Sequence, residues 1–272
     1  MQQDRLAAAT QWWRTGIIDI QPGSIGVRGY PIEQLIGGVG FVPMIWLMLR
    51  GELPSDWQAR LLEAAMVASV DHGPQAPSIA IARMASTCGV GVNNAMASAV
   101  NALGDVHGGA GQQCLALYDR MIALGGDTDA ARIAPALRDV LHTEKRLPGF
   151  GHRFHPVDPR SAPLLGLIEQ AVADKAVAGR HLSVARGVEA ALMEIKGKRV
   201  PMNIDGATAA IFGELGFGPV ESRGLFILSR SVGILAHASE QMQQGGRIKG
   251  PMPTNIPYAY EGPARRHLEA GQ

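Results

Sequence analysis

The sequence predicts an almost entirely helical fold with one short β-hairpin near the N-terminus. Apolar residues recur at three- and four-residue spacing along most of the chain, as they do between Leu61 and Ser69, and this spacing is typical of helices that bury one face. Residues 18–27 instead alternate apolar and other side chains around a turn signal, Gln21-Pro22-Gly23. We therefore expect an all-α protein whose strands are confined to this segment.

The helices are predicted from the repeated spacing of apolar residues. They cover residues 5–14, 61–69, 78–86, 94–103, 114–122, 133–141, 164–172, 184–195, 211–215 and 225–235. Glycine and proline are common where helices end, and they are concentrated in the connections Asp71–Ser78, Gly104–Gly111, Pro148–Pro159 and Pro201–Gly206. Loops on a rigid scaffold of this kind are where reactive side chains are commonly placed.

The composition disfavours several classes of protein. The chain has 272 residues, of which 46% are apolar and 18% are charged, as expected of one large or two modest globular domains rather than a disordered chain. A net charge of +1 gives no strong field for binding nucleic acid or an anionic membrane. The longest apolar run, the fifteen residues Leu35–Leu49, is shorter than the roughly 20 residues that span a bilayer.

The N-terminus and the cysteines indicate the compartment. The first residues lack a basic start followed by an apolar core, so we expect no signal peptide. Cys88 and Cys114 have the spacing of neither a metal site nor a disulfide framework. We therefore expect a cytoplasmic protein with free thiols and no bound metal.

Titratable side chains are concentrated in the glycine-rich loops. The set consists of His72, His107, His152, Arg160 and Asp205, together with Arg230 in the otherwise apolar segment LFILSRSVGILAH. Each residue alone has a structural explanation, since a histidine beside glycine can cap a turn and Asp205 can cap the helix that follows it. Three loops that each present a histidine, with an aspartate in a fourth, are harder to explain in this way.

The motifs that are missing narrow the chemistry. The sequence contains no H-E-x-x-H, G-x-S-x-G or P-loop motif and no cysteine cluster, which disfavours metal-dependent and serine hydrolysis. The glycines of Gly104–Gly111 do not follow a predicted strand, so they do not indicate a dinucleotide-binding fold. Acid and base chemistry at carbon remains: an aspartate can move a proton beside a carbonyl, histidines can donate hydrogen bonds to oxygen, and arginines match carboxylates.

Several segments resemble the citrate synthase superfamily in order and spacing, from about residue 26 to residue 251. The segments are RGYPIEQLIGG, LMLRGELPS, DHGPQAPSIAIARMAST, VHGGAGQQ, PGFGHRFHPVDPR, NIDGATAAIFGELGF and LFILSRSVGILAHASEQ. Any one of them would be weak evidence, but their joint order is specific. The resemblance implies an all-α citrate synthase fold with a large and a small helical domain and an active site in the cleft between them.

The resemblance also implies the domain organisation and the partners. We expect the large domain at residues 1–111 and 221–272, the latter including a C-terminal arm, and the small domain, on the coenzyme A side, at residues 112–220. A homodimer is implied in which a second subunit completes the active site. The expected ligands are a coenzyme A thioester as substrate and a di- or tricarboxylate, with no tightly bound cofactor.

By the same resemblance, each candidate residue has a role. His107 would hydrogen-bond the thioester carbonyl oxygen of acetyl-CoA and its enolate, Asp205 would be the base or acid at the acetyl methyl carbon, and His152 would act on the oxaloacetate carbonyl or the citryl hydroxyl. The substrate-binding residues would be His72, Arg153, Arg160, Arg230 and Lys249. The backbone that would approach the coenzyme A adenine is that of Pro148, Gly149, Phe150 and Gly151.

Two departures from the citrate synthase pattern favour its lyase branch. Citrate synthases usually have a basic residue directly before a proline where this chain has Gly250. The citryl-CoA lyase module of ATP citrate lyase has its basic residue one step earlier, where Lys249 stands here, and it also has a glycine after the catalytic aspartate, as Gly206 here. The resemblance therefore implies cleavage of citryl-CoA to acetyl-CoA and oxaloacetate. The alternatives are condensation of acetyl-CoA with oxaloacetate or a related 2-oxo acid, and a non-catalytic protein that binds coenzyme A or carboxylates.

Overall fold

The structure is a computed structural model that describes residues 2–144, 146–152, 155–248, 255–257 and 259–267. Within these residues the elements are α1 (Gln2–Trp12), β1 (Ile18–Gln21), β2 (Ser24–Val27), β3 (Tyr30–Pro31), α2 (Ile32–Leu35), α3 (Phe41–Arg50), α4 (Asp56–Ser69), α5 (Pro77–Ser86), α6 (Val92–Asn101), α7 (Ala110–Ala123), α8 (Ile133–Thr143), α9 (Ser161–Ala173), α10 (Arg180–Lys196), α11 (Ile204–Glu214) and α12 (Pro219–Gln244). A short 3₁₀ turn at Ala130–Arg132 precedes α8. The predicted all-α class is confirmed.

The N-terminal hairpin forms where the sequence predicts it. β1 and β2 pair antiparallel with Ile18 opposite Val27, and Gly23 in the turn has a φ of +80°, which glycine adopts without steric cost. A third strand that the sequence does not indicate, β3, pairs with β2. Val27 packs with Leu35 and Leu47 in a small cluster, which fastens the sheet to α2 and α3.

The chain divides into two compact units, and the first contains the main hydrophobic core. It comprises Met1–His72 and Leu103–Gly233. α7, α10 and α11 pack against one another, α8 packs on α10, and α4 and α9 pack on α11. α11 is central to this unit, since every residue from Gly206 to Gly213 is buried.

The helix face that the spacing predicts is buried in α4. The helix begins with a capping box, in which the Ser55 side chain and the Gln58 side chain each accept a hydrogen bond from the other's main chain, an arrangement that satisfies N–H groups at a helix start. The buried residues are Leu61, Leu62, Ala65, Met66 and Ser69. Local capping and apolar spacing therefore agree on this element.

The second compact unit comprises Gly73–Ala102 and Ile234–Gln272. Within it, α5 packs along α6, and Arg83 of α5 donates hydrogen bonds to Glu240 at 2.6 Å and to Gln244 at 2.9 Å. The domain boundaries expected at residues 112 and 220 stay a prediction. No helix in the described part of the chain is both long and apolar enough to cross a bilayer.

Three of the predicted glycine-rich loops are shorter than expected. Ser78 lies in α5, Gly111 lies in α7 and Asp205 lies in the first turn of α11. α5 starts early because Pro77 occupies its first turn, where proline is favoured, and α11 starts early because Asn203 caps it. Asp205 is therefore held by a helix rather than by a loop.

Candidate active site

The two glycine-rich segments that precede His152 and Asp205 lie side by side. Phe150 and Met202 form an antiparallel bridge. The main-chain N–H of Gly151 donates to the carbonyl directly before Met202 at 2.7 Å. This pairing places His152 beside the start of α11.

Asn203 joins the same two segments and caps α11. Its main-chain N–H donates to the carbonyl of Gly149 at 3.0 Å, and its side-chain amide donates to the carbonyl of Gly151 at 2.7 Å. Its side-chain oxygen accepts from the N–H of Asp205 at 2.9 Å and from that of Gly206 at 3.3 Å. Because Asn203 is the cap, the carboxyl of Asp205 is not needed for capping.

Glycine is required where these segments touch. Gly149 has a φ of +84°, and an added Cβ there would clash with Cys114 Sγ, while a Cβ at Gly206 would lie 2.5 Å from both the Gly149 carbonyl oxygen and the Met202 side chain. Tyr118, beneath them, donates to the carbonyl of Gly206 at 3.4 Å. Burial raises the pKa of the Cys114 thiol well above its ordinary value, so this cysteine is an unreactive packing group under the site.

The Asp205 carboxyl faces the start of α7, because a Cβ added at Gly111 would lie 3.9 Å from its Oδ1. Burial raises the pKa of this carboxyl above its ordinary value, whereas the charges of Arg160 and Arg230 oppose the rise and that of Asp158 adds to it. A carboxyl with a raised pKa keeps its proton at higher pH. Such a group is suited to act as a general acid or base near neutrality.

Three histidine rings lie next to one another near the start of α11. The ring centroids of His72 and His152 are 5.6 Å apart, and those of His152 and His155 are 4.6 Å apart. Burial lowers the pKa of His72, and the charges of Arg160 and Arg230 lower it further. Burial also lowers the pKa of His152. In both rings the lowered pKa favours the neutral form at pH 7.

A hydrogen bond from His155 determines which nitrogen of a neutral His152 ring carries the proton. The main-chain N–H of His155 donates to Nδ1 of His152 at 3.1 Å. A backbone N–H is a donor, so Nδ1 accepts and the neutral ring carries its proton on Nε2. In this state Nε2 is a hydrogen-bond donor suited to a carbonyl or alkoxide oxygen. Accepting a hydroxyl proton at Nε2 would require a proton shift to Nδ1 and the loss of that contact.

His107 lies in the connection before α7, in a loop that is held mainly by side chains. Asp105 forms an ion pair with Arg223 of α12. Gly108 has a φ of +102°, and an added Cβ there would lie 3.2 Å from the Phe226 ring. Burial lowers the pKa of His107, which favours the neutral imidazole. A neutral imidazole can donate a hydrogen bond to a developing oxyanion.

Arg230 influences several of these groups from α12. It is only 5% exposed, and its Nε donates to the carbonyl of Ser69 at 3.2 Å. Its charge lowers the pKa of His72, of His107 and of Asp205. One buried cation is thus close to three of the residues that the sequence singles out.

Arg160 lies directly before α9 and is the second cation, after Arg230, that acts on these residues. Its charge lowers the pKa of His72, His152 and Asp205. The residues that the structure brings together in one compact unit are therefore His72, His107, His152, Arg160, Asp205 and Arg230. Arg153 and Lys249, which the sequence also nominates, lie outside the described residues, as does Gly250.

A cavity of about 490 Å³ opens beside His152. Apolar side chains form its floor, among them Leu147, Phe150 and Leu192. Gly151 also lines it, so two of the four residues whose backbone is expected to approach coenzyme A face this cavity. Pro148 and Gly149 directly precede these two in the chain.

Three exposed cations on the cavity rim are missed by the sequence reasoning. They are Arg146, Lys196 and Lys198. The sequence signal that could have found them is the basic run Lys196-Gly-Lys-Arg, which ends just before the segment that pairs with Phe150. An apolar floor with a cationic rim suits a flat base that carries phosphate groups.

Comparison with solved structures shows a shared fold over nearly the whole chain. A citryl-CoA lyase from Hydrogenobacter thermophilus is 31% identical with a TM-score of 0.82, covering 94% of this chain and 97% of that one. An ATP citrate lyase from Methanothrix soehngenii, solved with citrate and coenzyme A, is 22% identical with a TM-score of 0.77, covering 95% of this chain and 44% of that one. The second likeness concerns the fold alone.

Comparison with curated sequences points to the same group. The citrate synthase of Haloferax volcanii is 29% identical over 222 residues, which are 80% of this chain and 55% of that protein. The 2-methylcitrate synthase of Mycobacterium tuberculosis is 27% identical over 223 residues, which are 82% of this chain and 54% of that protein. The chain thus spans about half the length of the curated relatives it matches.

The family model for the C-terminal domain of citrate synthase matches residues 55–251, well over half of the chain. The matched range includes the residues of the cluster, from His72 to Arg230. The chain belongs to the citrate synthase family.

Proposed function

We propose that this protein is a citryl-CoA lyase-like enzyme that cleaves (3S)-citryl-CoA to acetyl-CoA and oxaloacetate. The observation that carries the proposal is the arrangement of His107, His152 and Asp205 around two arginines in one compact unit. The likeness to the lyase of Hydrogenobacter thermophilus over nearly the full length of both chains supports it.

The cavity beside His152 would hold the coenzyme A portion of the substrate. Its apolar floor suits the adenine, and its rim of three cations suits the phosphates, because lysine and arginine are the usual phosphate-binding side chains. Replacing Lys196 and Lys198 together by alanine should raise KM for the thioester more at low than at high salt, since screening weakens exposed charge pairs.

The arginines would hold the carboxylates of the substrate. Arg230 is buried within the unit, and Arg160 is half-buried beside His72 and His152. The guanidinium fork matches a carboxylate in geometry, which a lysine does not. His72, with its ring against that of His152, would bind the tertiary hydroxyl or a carboxylate next to the reacting carbon.

Cleavage breaks the bond between the hydroxyl-bearing carbon and the methylene carbon of the thioester. The hydroxyl proton leaves as the new carbonyl of oxaloacetate forms, and the electron pair of the broken bond passes to the thioester as an enolate. His107 donates a hydrogen bond to the enolate oxygen. Protonated Asp205, whose pKa is raised by burial, then delivers its proton to the enolate carbon and gives acetyl-CoA.

His152 would face the hydroxyl of citryl-CoA and accept its proton. Because Nδ1 accepts from the His155 amide, this role needs the proton on Nε2 to move to Nδ1 as the contact opens. In the reverse direction the same Nε2–H is already placed to donate to the oxaloacetate carbonyl. The contact at Nδ1 is therefore one observation in favour of the second candidate.

The second candidate is condensation of acetyl-CoA with oxaloacetate or a related 2-oxo acid. The names of the sequence relatives, citrate synthase and 2-methylcitrate synthase, also favour it. In this direction Asp205 removes a methyl proton and His152 protonates the new alkoxide, and water then hydrolyses the thioester to release citrate and free coenzyme A. The catalytic groups are the same in both directions.

A direct assay separates the candidates. Purified protein is mixed with (3S)-citryl-CoA in one vessel and with acetyl-CoA and oxaloacetate in another. The proposal expects acetyl-CoA and oxaloacetate from the first mixture and no net citrate from the second. Steady citrate formation with release of free coenzyme A would establish the synthase instead, and ligand binding without turnover of either mixture would indicate a non-catalytic protein.

We also propose a cytoplasmic homodimer in which Lys249 of one subunit completes the site of the other. Two singly inactive variants, Asp205→Asn and Lys249→Ala, test the shared site when they are co-expressed. Mixed dimers should regain activity, because one of the two sites then has both residues. Failure to regain activity in a verified mixed dimer would argue against a shared site.

A further inference from the structure

Asp158 is a buried carboxylate that the reaction described above does not use. It is 1% exposed. Burial acts to raise the pKa of Asp158, but hydrogen bonds from Arg160 and from the main-chain N–H of Ile204 lower this pKa to about 2. The group is therefore ionised throughout the pH range of an assay. A buried charge is costly unless it is fully paired, so its partners explain its presence.

One set of partners belongs to Arg160. Oδ1 of Asp158 accepts from the main-chain N–H of Arg160 at 3.0 Å and from its Nε at 2.9 Å, and Oδ2 accepts from its Nη2 at 2.9 Å. This contact uses the edge of the guanidinium formed by Nε and Nη2. The edge formed by Nη1 and Nη2 is not engaged by Asp158, and it can bind a second carboxylate in the same two-bond manner.

The other partner lies at the start of α11. Oδ2 of Asp158 accepts from the main-chain N–H of Ile204 at 2.9 Å. Ile204 is the first residue of α11, and Asp205 is the second. The next two N–H groups of the helix donate to Asn203. One carboxylate thus contacts both the Arg160 fork and the helix turn that carries Asp205.

We propose that Asp158 is a positioning residue that fixes the substrate-binding edge of Arg160 relative to the carboxyl of Asp205. A carboxylate of the substrate would be held by the first group while the second transfers the proton, so the distance between them determines whether the reacting carbon is aligned. The proposal rests on the proposed function, and it adds a residue that touches neither substrate nor reacting atoms.

Asp158→Asn should weaken both contacts while keeping the shape of the side chain. Asparagine has one acceptor oxygen, and its amide group would face N–H donors. We expect kcat to fall by about 10- to 100-fold, as for small misplacements of reacting groups, and KM for the carboxylate substrate to rise. The charged groups around the Asp205 carboxyl are Arg160, Arg230 and Asp158. Removal of the negative charge of Asp158 should therefore lower the pKa of Asp205 and move the limb of the pH profile that it controls to lower pH.

Ile204→Pro separates the two contacts. Proline lacks the N–H that Asp158 accepts, and the first helical position is where proline is tolerated best. The pair between Asp158 and Arg160 stays intact in this variant. We therefore expect kcat to fall while KM for the carboxylate substrate stays near that of the wild type. This variant also decides the matter if Asp158→Asn does not fold.

Asp127→Asn is the matched control. Asp127 also has a side chain that is largely buried in an ion pair, with Arg180 at 2.6 Å, but it is not among the groups that act on the site residues. Thermal unfolding of all three variants is followed by circular dichroism, and kcat, KM and the pH profile are measured for each one that folds. The control should keep wild-type kinetics.

The proposal is overturned if folded Asp158→Asn or Ile204→Pro turns over like the control. Asp205→Asn, measured in parallel, keeps this result separate from the proposed function: an inactive Asp205→Asn beside an unaffected Asp158→Asn rejects the positioning role alone. If the wild type turns over neither substrate mixture, the proposed function fails. In that case oxaloacetate is added and the rise in unfolding temperature is measured, which tests whether Asp158 fixes the carboxylate-binding edge of Arg160. An equal rise in Asp158→Asn and in Asp127→Asn rejects this role of Asp158.

Discussion

The two stretches of chain that present the proposed catalytic groups are held in different ways. His152 and Asp205 follow segments that are joined to each other by main-chain hydrogen bonds. The loop of His107 is held by side chains, among them the ion pair between Asp105 and Arg223 and the hydrogen bond from Gln113 to the Asp105 carbonyl. Both stretches lie in the same compact unit, so the difference is one of local attachment.

This difference predicts how each stretch responds to substitution. Main-chain hydrogen bonds persist when side chains change, so the paired segments should tolerate most substitutions. The exceptions are the glycines where the backbones touch and Asn203, whose side chain also joins the two segments. Side-chain contacts disappear with the side chain, and exposed ion pairs contribute little to stability. We therefore expect changes near His107 to affect catalysis with little effect on folding, and changes near Gly206 to affect both.

Among the substitutions that compare the two stretches, His107→Ala should have the largest effect on rate. Loss of a hydrogen-bond donor to an oxyanion costs about 10²- to 10³-fold in kcat, whereas His107 is only half-buried and its loss should leave the unfolding temperature nearly unchanged. Steady-state kinetics and thermal unfolding measure the two quantities on one preparation. A variant that keeps its kcat, or one in which kcat and the unfolding temperature fall together, would contradict the comparison.

The next effect is expected for Gly206→Ala in the paired segments. The added Cβ would lie 2.5 Å from the Gly149 carbonyl oxygen, so the free energy of unfolding should fall by about 1–3 kcal/mol, and kcat should fall with it. Gly224→Ala, on α12, is the control, because a Cβ there meets nothing within 4 Å. Alanine in a helix interior should stabilise it by up to about 1 kcal/mol. Equal urea midpoints for the two variants would contradict the account.

A smaller effect is expected for Arg223→Gln, which removes the ion pair that holds the His107 loop. Its coupling to His107 should be about 1 kcal/mol, in the range found for residues of one network, which is a several-fold fall in kcat. In a His107→Ala background the same substitution should add nothing further. A fully additive double variant would show that Arg223 acts elsewhere.

The smallest expected effect is a displacement of the acid limb in the pH profile of kcat/KM. The pKa of His72, His107 and His152 is lowered in the folded protein, so the rings stay neutral at a pH where free histidine is partly charged. A reaction that needs neutral rings should therefore lose rate only as the pH falls below the ordinary histidine pKa of about 6.5. A pH profile of kcat/KM checks this, and an acid limb at or above pH 6.5 would contradict the assignment of neutral donors.

Much of the fold follows from local sequence signals. Apolar spacing predicts the buried face of α4, and the turn at Pro22-Gly23 predicts the hairpin. β3 is missed because a two-residue strand, Tyr30–Pro31, has no periodicity to detect. The start of α11 is predicted too late because Gly206 suggested a loop. Asn203 caps the helix instead, so α11 begins at Ile204.

The candidate site is predicted less completely, for a physical reason. Arg230 stands out because it is a charge in an apolar helix, and the histidines stand out beside glycines. The rim cations Lys196 and Lys198 resemble any exposed basic run until the cavity is seen. Asp158 is equally hard to interpret, since its partner N–H at Ile204 lies 46 residues away in the chain.

The most direct test of the central claim follows the proton that Asp205 is proposed to deliver. The wild type is given citryl-CoA in D₂O, and the acetyl-CoA formed is examined by mass spectrometry. The account predicts a single deuterium in the acetyl methyl group with the wild type and loss of acetyl-CoA formation with folded Asp205→Asn. Deuterated acetyl-CoA produced by Asp205→Asn at a rate near that of the wild type would contradict it.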